Sequence, residues 1–330
     1  MDNKIQNIDI DVIIPVYNGE QFILDAIHSV VNQTFPPKKI IVVNDGSTDN
    51  TKMVVSIYAE KSPIPIEITD KQNSGPSSAR NMGIKRSHSG FVAFLDADDT
   101  WTVDKLEKQI SVYKTTGFKN LGLVYCDYDV IDSNGIKQYT NYKTPLEKNM
   151  KGNVFIHLLE RNNITSSASG VLIKRDAFDS IGLFDETLYF GEDWDVWLRI
   201  AERFEVDFVD EVLVHIRKNE HNTTANTAKI FGSEIDFYNK WISILDRHCD
   251  IPTFWPDKIT FRIIVRWPKT DFLTILKNKL SKENYKKLFR KSFGSFYLYL
   301  PIFFVRQIFN LLLHPKNFRI ILGIIKHKGR

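Results

Sequence analysis

"KIIVVNDGSTDNT", residues 39–51, changes character twice within thirteen positions. A lysine and an unbroken apolar run stop at Asn44, Asp45, Gly46 and Ser47, and Thr48 and Asp49 then begin something new. Apolar residues without polar alternation mark a strand covered on both faces. Asn-Asp-Gly favours a left-handed turn, and Ser, Thr and Asp are good first residues of a helix. A buried strand passing through a short link into a helix predicts an α/β domain with a parallel sheet.

The same signature recurs on either side. "DIDVIIPVY" (9–17) is a buried strand ended by Asn18-Gly19, and "GEQFILDAIHSVVNQ" (19–33) sets Phe22, Ala26, Ser29 and Val30 at helical spacing. The second helix falls at 49–61, a third strand at 64–69, a helix at 76–87 and a fourth strand at 90–99. A helix at 102–114 and a strand at 121–132 follow; 133–165 is polar and receives no regular structure. A strand and short helix are expected at 169–182, an amphipathic helix at 191–204, a strand pair at 207–217 and a helix near 225–247. Sheets of this kind bind ligands beyond the carboxyl ends of their strands, where Asp45 and Asp96–Asp99 fall. No G-x-G-x-x-G follows the first strand, which disfavours a dinucleotide site.

The 330 residues have the composition of a folded protein, 43% hydrophobic and 25% charged. Two cysteines, Cys126 and Cys249, make neither a disulfide framework nor a metal site, and a reducing compartment suits them. "MDNKIQNIDI" has no apolar stretch like a signal peptide, so a cytoplasmic protein is expected. The net charge of +4 conceals a division: residues 251–330 carry 17 Lys/Arg against three acids, leaving 27 against 37 in residues 1–250.

Four motifs carry the chemistry. Asp45 is either part of a tight turn or a carboxylate reaching out from the sheet edge to a ligand, beside a helix N-terminus that favours phosphate. In "FLDADDT" (94–100) three carboxylates within four residues repel one another. A divalent cation held through oxygen would offset that; a solvated acidic turn is the plainer alternative. In "NSGPSSARNMG" (73–83), Arg80 lies on a helix at the same edge, able to pair with Asp45 or a diphosphate, or to form a surface ion pair. "GEDWDVWLR" (191–199) mixes acids with Trp194 and Trp197; helix starts favour acids, but aromatic faces also bind sugars, and a neighbouring carboxylate can deprotonate a hydroxyl.

Taken in order, "PVYN" (15–18), "NDGSTD" (44–49), "NSGPSSARNMG", "FLDADD" and "GEDWDVWLR" resemble the family 2 glycosyltransferases over roughly residues 8–220. The resemblance implies a GT-A fold, a Rossmann-like nucleotide-binding unit with a mostly parallel central sheet, and inverting transfer from a nucleotide-sugar. It implies that Pro15, Val16, Tyr17 and Asn18 open the nucleotide pocket and that Asp45 contacts the base, usually uracil. Arg80 would support the nucleotide and diphosphate, and Trp194 would join the sugar site. Asp96, Ala97 and Asp98 would form the DXD-type motif. There Asp98 is the direct ligand of Mn²⁺ or Mg²⁺, with Asp96 toward the ribose or metal. Asp193 would be the general base, with Glu192 beside it. The partners implied are a UDP-sugar and a saccharide or lipid-linked acceptor. Asn44 stands where many members carry Asp. In "VHIRKNEHNTT" (214–224) Asn219 stands where relatives often place His, with His221 nearby and His215 of unassigned role.

The division of charge suggests a catalytic domain over 1–222 and a helical, basic extension over 223–330. "FGSFYLYLPIFFVRQIFNLLL" (293–313) is apolar but interrupted by Pro301, Arg306, Gln307 and Asn310, so it is not a plain membrane span. Aromatics among basic clusters predict helices lying on an anionic membrane, at the inner face of the cell membrane, which would bring the site to a lipid-linked acceptor. Nucleic acid is not expected, since no recognition motif accompanies the charge. "DADDT" also fits haloacid-dehalogenase-like phosphatases, but that motif belongs on a first strand, and three strand–helix units precede it here. A non-catalytic sugar-binding protein would be expected to have lost Asp96, Asp98 or Asp193, and all are present.

Overall fold

A computed structural model of the chain describes residues 8–140, 150–160, 162–165 and 167–218, together with helical positions 233, 236, 237, 240 and 241. The chain divides into two compact units, Met1–Asn226 and Thr227–Arg330. In the second unit the described positions include Phe237 and Trp241, both buried and packed ring to ring. The expected helix at 225–247 otherwise lies outside the described residues, as do the basic, aromatic tail and His221.

The first unit begins as the sequence predicts. Strands β1 (Ile10–Val16), β2 (Lys39–Asn44), β3 (Ile66–Asp70) and β4 (Phe91–Phe94) alternate with helices α1 (Ile23–Val31), α2 (Thr51–Ala59) and α3 (Pro76–Arg86). The strands are parallel, in the order β3-β2-β1-β4. The order reverses between β1 and β4, the place where such sheets open a ligand crevice. β5 (Thr100–Trp101), α4 (Lys105–Thr115), β6 (Leu121–Ile131), β7 (Lys137–Thr140), α5 (Phe155–Glu160), β8 (Val171–Lys174), α6 (Ala177–Ile181), α7 (Glu192–Arg203) and β9 (Glu205–Arg217) complete the unit. The sheet continues β4-β8-β6-β9-β5, with β7 on β6; β8 runs antiparallel to both neighbours, while β9 is parallel to β6.

Three expectations are corrected. Residues 207–217 are not a strand pair but the body of one long strand, β9, which shifts register beside Cys126 and Asp127 and so follows the curl of the sheet. The segment 133–165 is not without structure, because β7 and α5 form within it; both are short, below the length at which periodicity can be read. On α1 the buried stripe is Ile23, Ala26, Ile27 and Val30 rather than one through Phe22 and Ser29. Each large side chain of that stripe contributes on the order of 1.5–3 kcal/mol by leaving water. It joins a core with Ile10, Val12, Ile14, Val42 and Leu106.

Two glycines set positions that matter below. A Cβ on Gly83 would lie 2.4 Å from Ile13 Cγ2, so glycine lets α3 settle directly on β1. Gly46 has φ +76°, and a Cβ there would meet the Asn73 nitrogen at 2.9 Å; the turn after β2 closes against the loop leading to α3 only with glycine.

Candidate active site

The carboxyl ends of β1, β2 and β4 meet at one edge. From β1, Pro15 and Val16 are buried, Tyr17 is 53% exposed, and Asn18 takes a left-handed conformation at φ 51°. Asn18 Oδ1 accepts the Thr48 N–H at 2.8 Å, and the Asn18 N–H donates to Ser47 Oγ at 2.9 Å. The turn after β1 is thereby stitched to the turn after β2. Asp45 does not reach outward. Only 3% exposed, it accepts the Ser74 and Gly75 N–H groups at 3.0 and 2.8 Å and pairs with Lys71. It thus fixes the loop that leads into α3.

Pro76 at the first turn and basic residues in the last suit α3 to its helix. Seated on the sheet at Gly83, the helix carries Arg80 inward. The guanidinium donates to Asp96 Oδ1 at 2.9 Å and Glu192 Oε1 at 3.2 Å, and lies 3.4 Å from Asp193 Oδ1. It also stacks over Phe184, 5.5 Å from the ring centre. The expected pairing of Arg80 with Asp45 is therefore replaced: Lys71 serves Asp45, and Arg80 serves three acids from two distant elements.

Two of those acids open α7. Gly191 adopts the left-handed conformation that lets the loop turn into the helix, and acids in the first turn meet its positive end. The loop ahead of α7 is held by Arg199, paired with buried Asp195 and donating to the carbonyls of Ile181, Gly182 and Leu183. Burial pushes Asp193 up to about 7; Arg80 opposes the rise, and the charges of Glu192 and Asp96 add to it. Burial likewise raises Glu192 against the pull of Arg80. Asp193 Oδ1 is sealed from water and accepts no hydrogen bond. That oxygen faces Arg80, and it is the pKa near neutrality that suits the carboxyl group to taking a proton.

The expected sugar face of Trp194 is corrected. Trp194 is 6% exposed, its indole N–H donates to the Leu158 carbonyl at 2.7 Å, and Trp197 is fully buried. At i and i+3 on an amphipathic helix both rings belong to the core.

The turn after β4 holds Asp96, Ala97, Asp98 and Asp99. Asp96, Ala97 and Asp98 are partly exposed, whereas Asp99 is buried. Burial, then the charges of Asp96 and Asp98, push Asp99 well above the usual carboxylate range. Its Oδ2 lies 2.7 Å from Ser169 Oγ and 3.1 Å from Ser167 Oγ, and its Oδ1 accepts the Arg217 N–H at 3.0 Å. Arg217, at the end of β9, also donates through Nε to the Asp98 carbonyl and through a terminal nitrogen to those of Asp132 and Ser133. Among the described residues no group of three or more His, Cys, Asp and Glu is arranged to hold a metal. The partly exposed Asp96 and Asp98 nevertheless offer hard oxygen donors on one turn. That suits Mg²⁺ or Mn²⁺, which take one or two carboxylates and complete their shell with phosphate and water. His215 lies opposite Thr100, at the exit of this turn, half-buried with Nδ1 4.0 Å from Asp129, and burial lowers its pKa.

Ser167, Ser169, Lys71 and Arg217 escaped the sequence reading as site residues. Nothing in "SSASG" distinguishes a hydroxyl that faces a carboxylate from one that faces water. Arg217 had a weak signal in its position beside the departure at Asn219.

Comparison with known proteins identifies the family and the fold. The family model described as glycosyl transferase family 2 matches residues 11–182. An uncharacterized glycosyltransferase of Rickettsia typhi is 35% identical over 219 residues, 66% of this chain and 66% of that protein. A UDP-Glc:α-D-GlcNAc-diphosphoundecaprenol β-1,3-glucosyltransferase of Escherichia coli is 36% identical over 127 residues, covering 38% of this chain and 48% of that one. Both matches span less than the relatives' full length. The mannosyltransferase of Pyrobaculum calidifontis, solved with GDP-Man and Mn²⁺, shares the fold with a TM-score of 0.57 at 15% identity, over 93% of this chain and 81% of that one.

Proposed function

The chain belongs to glycosyl transferase family 2, and on that footing we propose an inverting transfer of a hexose or N-acetylhexosamine from a UDP-sugar. The acceptor is a hydroxyl of a saccharide or lipid-linked carrier in bacterial surface polysaccharide or lipopolysaccharide synthesis. The observation that carries this reading is Arg80, which gathers Asp96 at the end of β4 and Glu192 and Asp193 at the start of α7 around one guanidinium. Asp96 meets one terminal nitrogen of that guanidinium and Glu192 and Asp193 the other, which supports reading the first as the donor-side carboxylate and Asp193 as the base. UDP and a lipid-linked acceptor are favoured by the name of the Escherichia coli relative, and a cation by the oxygen donors of the β4 turn.

In this scheme the donor nucleotide lies across the β1–β2 edge, over Tyr17 and the loop fixed by Asp45. Asp193 takes the acceptor proton as the acceptor oxygen bonds to the anomeric carbon. The bond from that carbon to the diphosphate breaks, and its electron pair leaves on the diphosphate oxygen. Asp98 and Asp96 would hold Mg²⁺ or Mn²⁺, which when bound supplies charge stabilisation for the departing diphosphate. Arg80 keeps the pocket from carrying three uncompensated carboxylates.

No helix among the described residues is long and apolar enough to cross a membrane, and the proposed surface anchor rests on the sequence of residues 251–330 alone. It requires that the full chain sediment with anionic vesicles at low salt; recovery entirely in the supernatant would discard it. The transfer itself is tested by incubating the chain with Mn²⁺ and a panel of UDP-sugars and following UDP release. Release from one or two donors is expected, and none across the panel would overturn the donor class.

A further inference from the structure

The turn before β8 touches the donor-side acids through hydroxyls that the scheme above does not use. Ser167 is 7% exposed and Ser169 fully buried. Ser167 Oγ lies 2.9 Å from Asp96 Oδ2, 3.1 Å from Asp99 Oδ2 and 2.9 Å from Ser169 Oγ, and it accepts the Ser169 N–H. Ser169 Oγ accepts the Asp96 N–H at 3.0 Å and lies 2.7 Å from Asp99 Oδ2.

Each hydroxyl has one proton to give. Ser169 Oγ shares one proton with Asp99, its shortest contact and a group that burial holds well above the usual carboxylate range, while it also accepts the Asp96 N–H. The Ser167 proton then falls to Asp96, nearer than Asp99. Asp96 is consequently pinned at both oxygens, Oδ1 by Arg80 and Oδ2 by Ser167, yet remains 28% exposed on its side chain. Two donors fix the plane of a carboxylate, and with it the direction of the lone pairs left over. One donor would leave the group free to pivot about Arg80, which Glu192 already shares.

We propose that Ser167 is a positioning residue that aims Asp96 at the cation bound with the donor diphosphate. The inference rests on the transferase reading and concerns Ser167 alone. It separates from a structural role because its loss shows only when a cation is present.

The test is calorimetric titration of UDP into the full chain, with Mn²⁺ and separately with EDTA, for wild type, Ser167→Ala, Ser167→Cys and Ser167→Thr. Removing a hydrogen bond to a charged group should weaken UDP binding about tenfold with Mn²⁺, and by less than about twofold in EDTA. Cysteine, a weak donor of similar size, should behave as alanine does, and threonine should recover most of the loss. Alanine and cysteine variants that bind like wild type with Mn²⁺, or lose equally in both conditions, overturn the role of Ser167. A wild type that binds no UDP in either condition overturns the donor reading beneath it, and this inference with it.

Discussion

Arg80 and Glu192 are 112 residues apart in sequence and 3.2 Å apart in the fold. The contact spans α3 and α7, and through the same guanidinium it continues to Asp96 after β4. Replacing Arg80 with alanine would leave three acids facing one another with that charge removed. Breaking a buried ion pair in this way costs about 3–5 kcal/mol, and the melting temperature should fall accordingly. Lysine should recover stability in part but not transfer, since an ammonium cannot hold the same fork of acceptors. Full turnover by Arg80→Lys would mean that the shared geometry is unimportant.

Asp193→Asn keeps the shape of the side chain and removes the base. Transfer should drop by roughly 10²–10⁴, while UDP affinity measured by calorimetry stays within about threefold. A mutant that turns over normally would remove Asp193 from the mechanism.

The pH dependence has a defined sign. Asp193 must be ionised to accept a proton, and its pKa is pushed up to about 7 by burial, so kcat/KM should rise with pH and level off above neutrality. Stability runs the other way. A carboxyl whose pKa is higher folded than unfolded favours the fold at low pH, and that contribution is lost as pH rises from about 4 through 7. Acidification to pH 5.5 should therefore silence the enzyme without loosening this part of the protein. A flat pH–rate profile between 5 and 8 would contradict the assignment.

Chelation tests the β4 turn. EDTA should abolish transfer and added Mn²⁺ or Mg²⁺ should restore it, whereas Asp98→Asn should respond to neither. Undiminished transfer in EDTA would take the cation out of the scheme.

Gly83→Ala probes how Arg80 is placed. The added methyl would lie 2.4 Å from Ile13 Cγ2, forcing α3 off the sheet at a cost of about 1–3 kcal/mol. Arg80 lies one turn away on the same helix, so activity should fall more than stability alone explains. Normal kcat in a variant with a lowered melting temperature would show that the site tolerates the shift.

Much of this was legible in the chain because local chemistry and final environment agree. β2 begins and ends where the apolar run from Lys39 to Asn44 does, and Pro76 opens α3 as its fixed φ requires. The legible part of the site was its acids, since Asp96–Asp99 and Glu192–Asp193 cluster in sequence. Their partners were not, because partnership depends on which strands become neighbours. Lys71 and Arg80 were both available to Asp45, and only the path of the loop decides between them. Trp194 was misread for a related reason: its helix places it three positions before fully buried Trp197, on the packed face.

β8 lies between β4 and β6 and is hydrogen-bonded to both, with Ala93 opposite Leu172 and Leu172 opposite Val124. The Ser167–Gly170 turn and Asp96 lie side by side at one end of that ladder, where β8 begins and β4 runs out. They cannot part unless central strands come undone, so this portion of the pocket should melt with the sheet in a single cooperative step. Amide deuteration at Ala93 and Leu172 should accordingly proceed only at the rate of whole-domain opening.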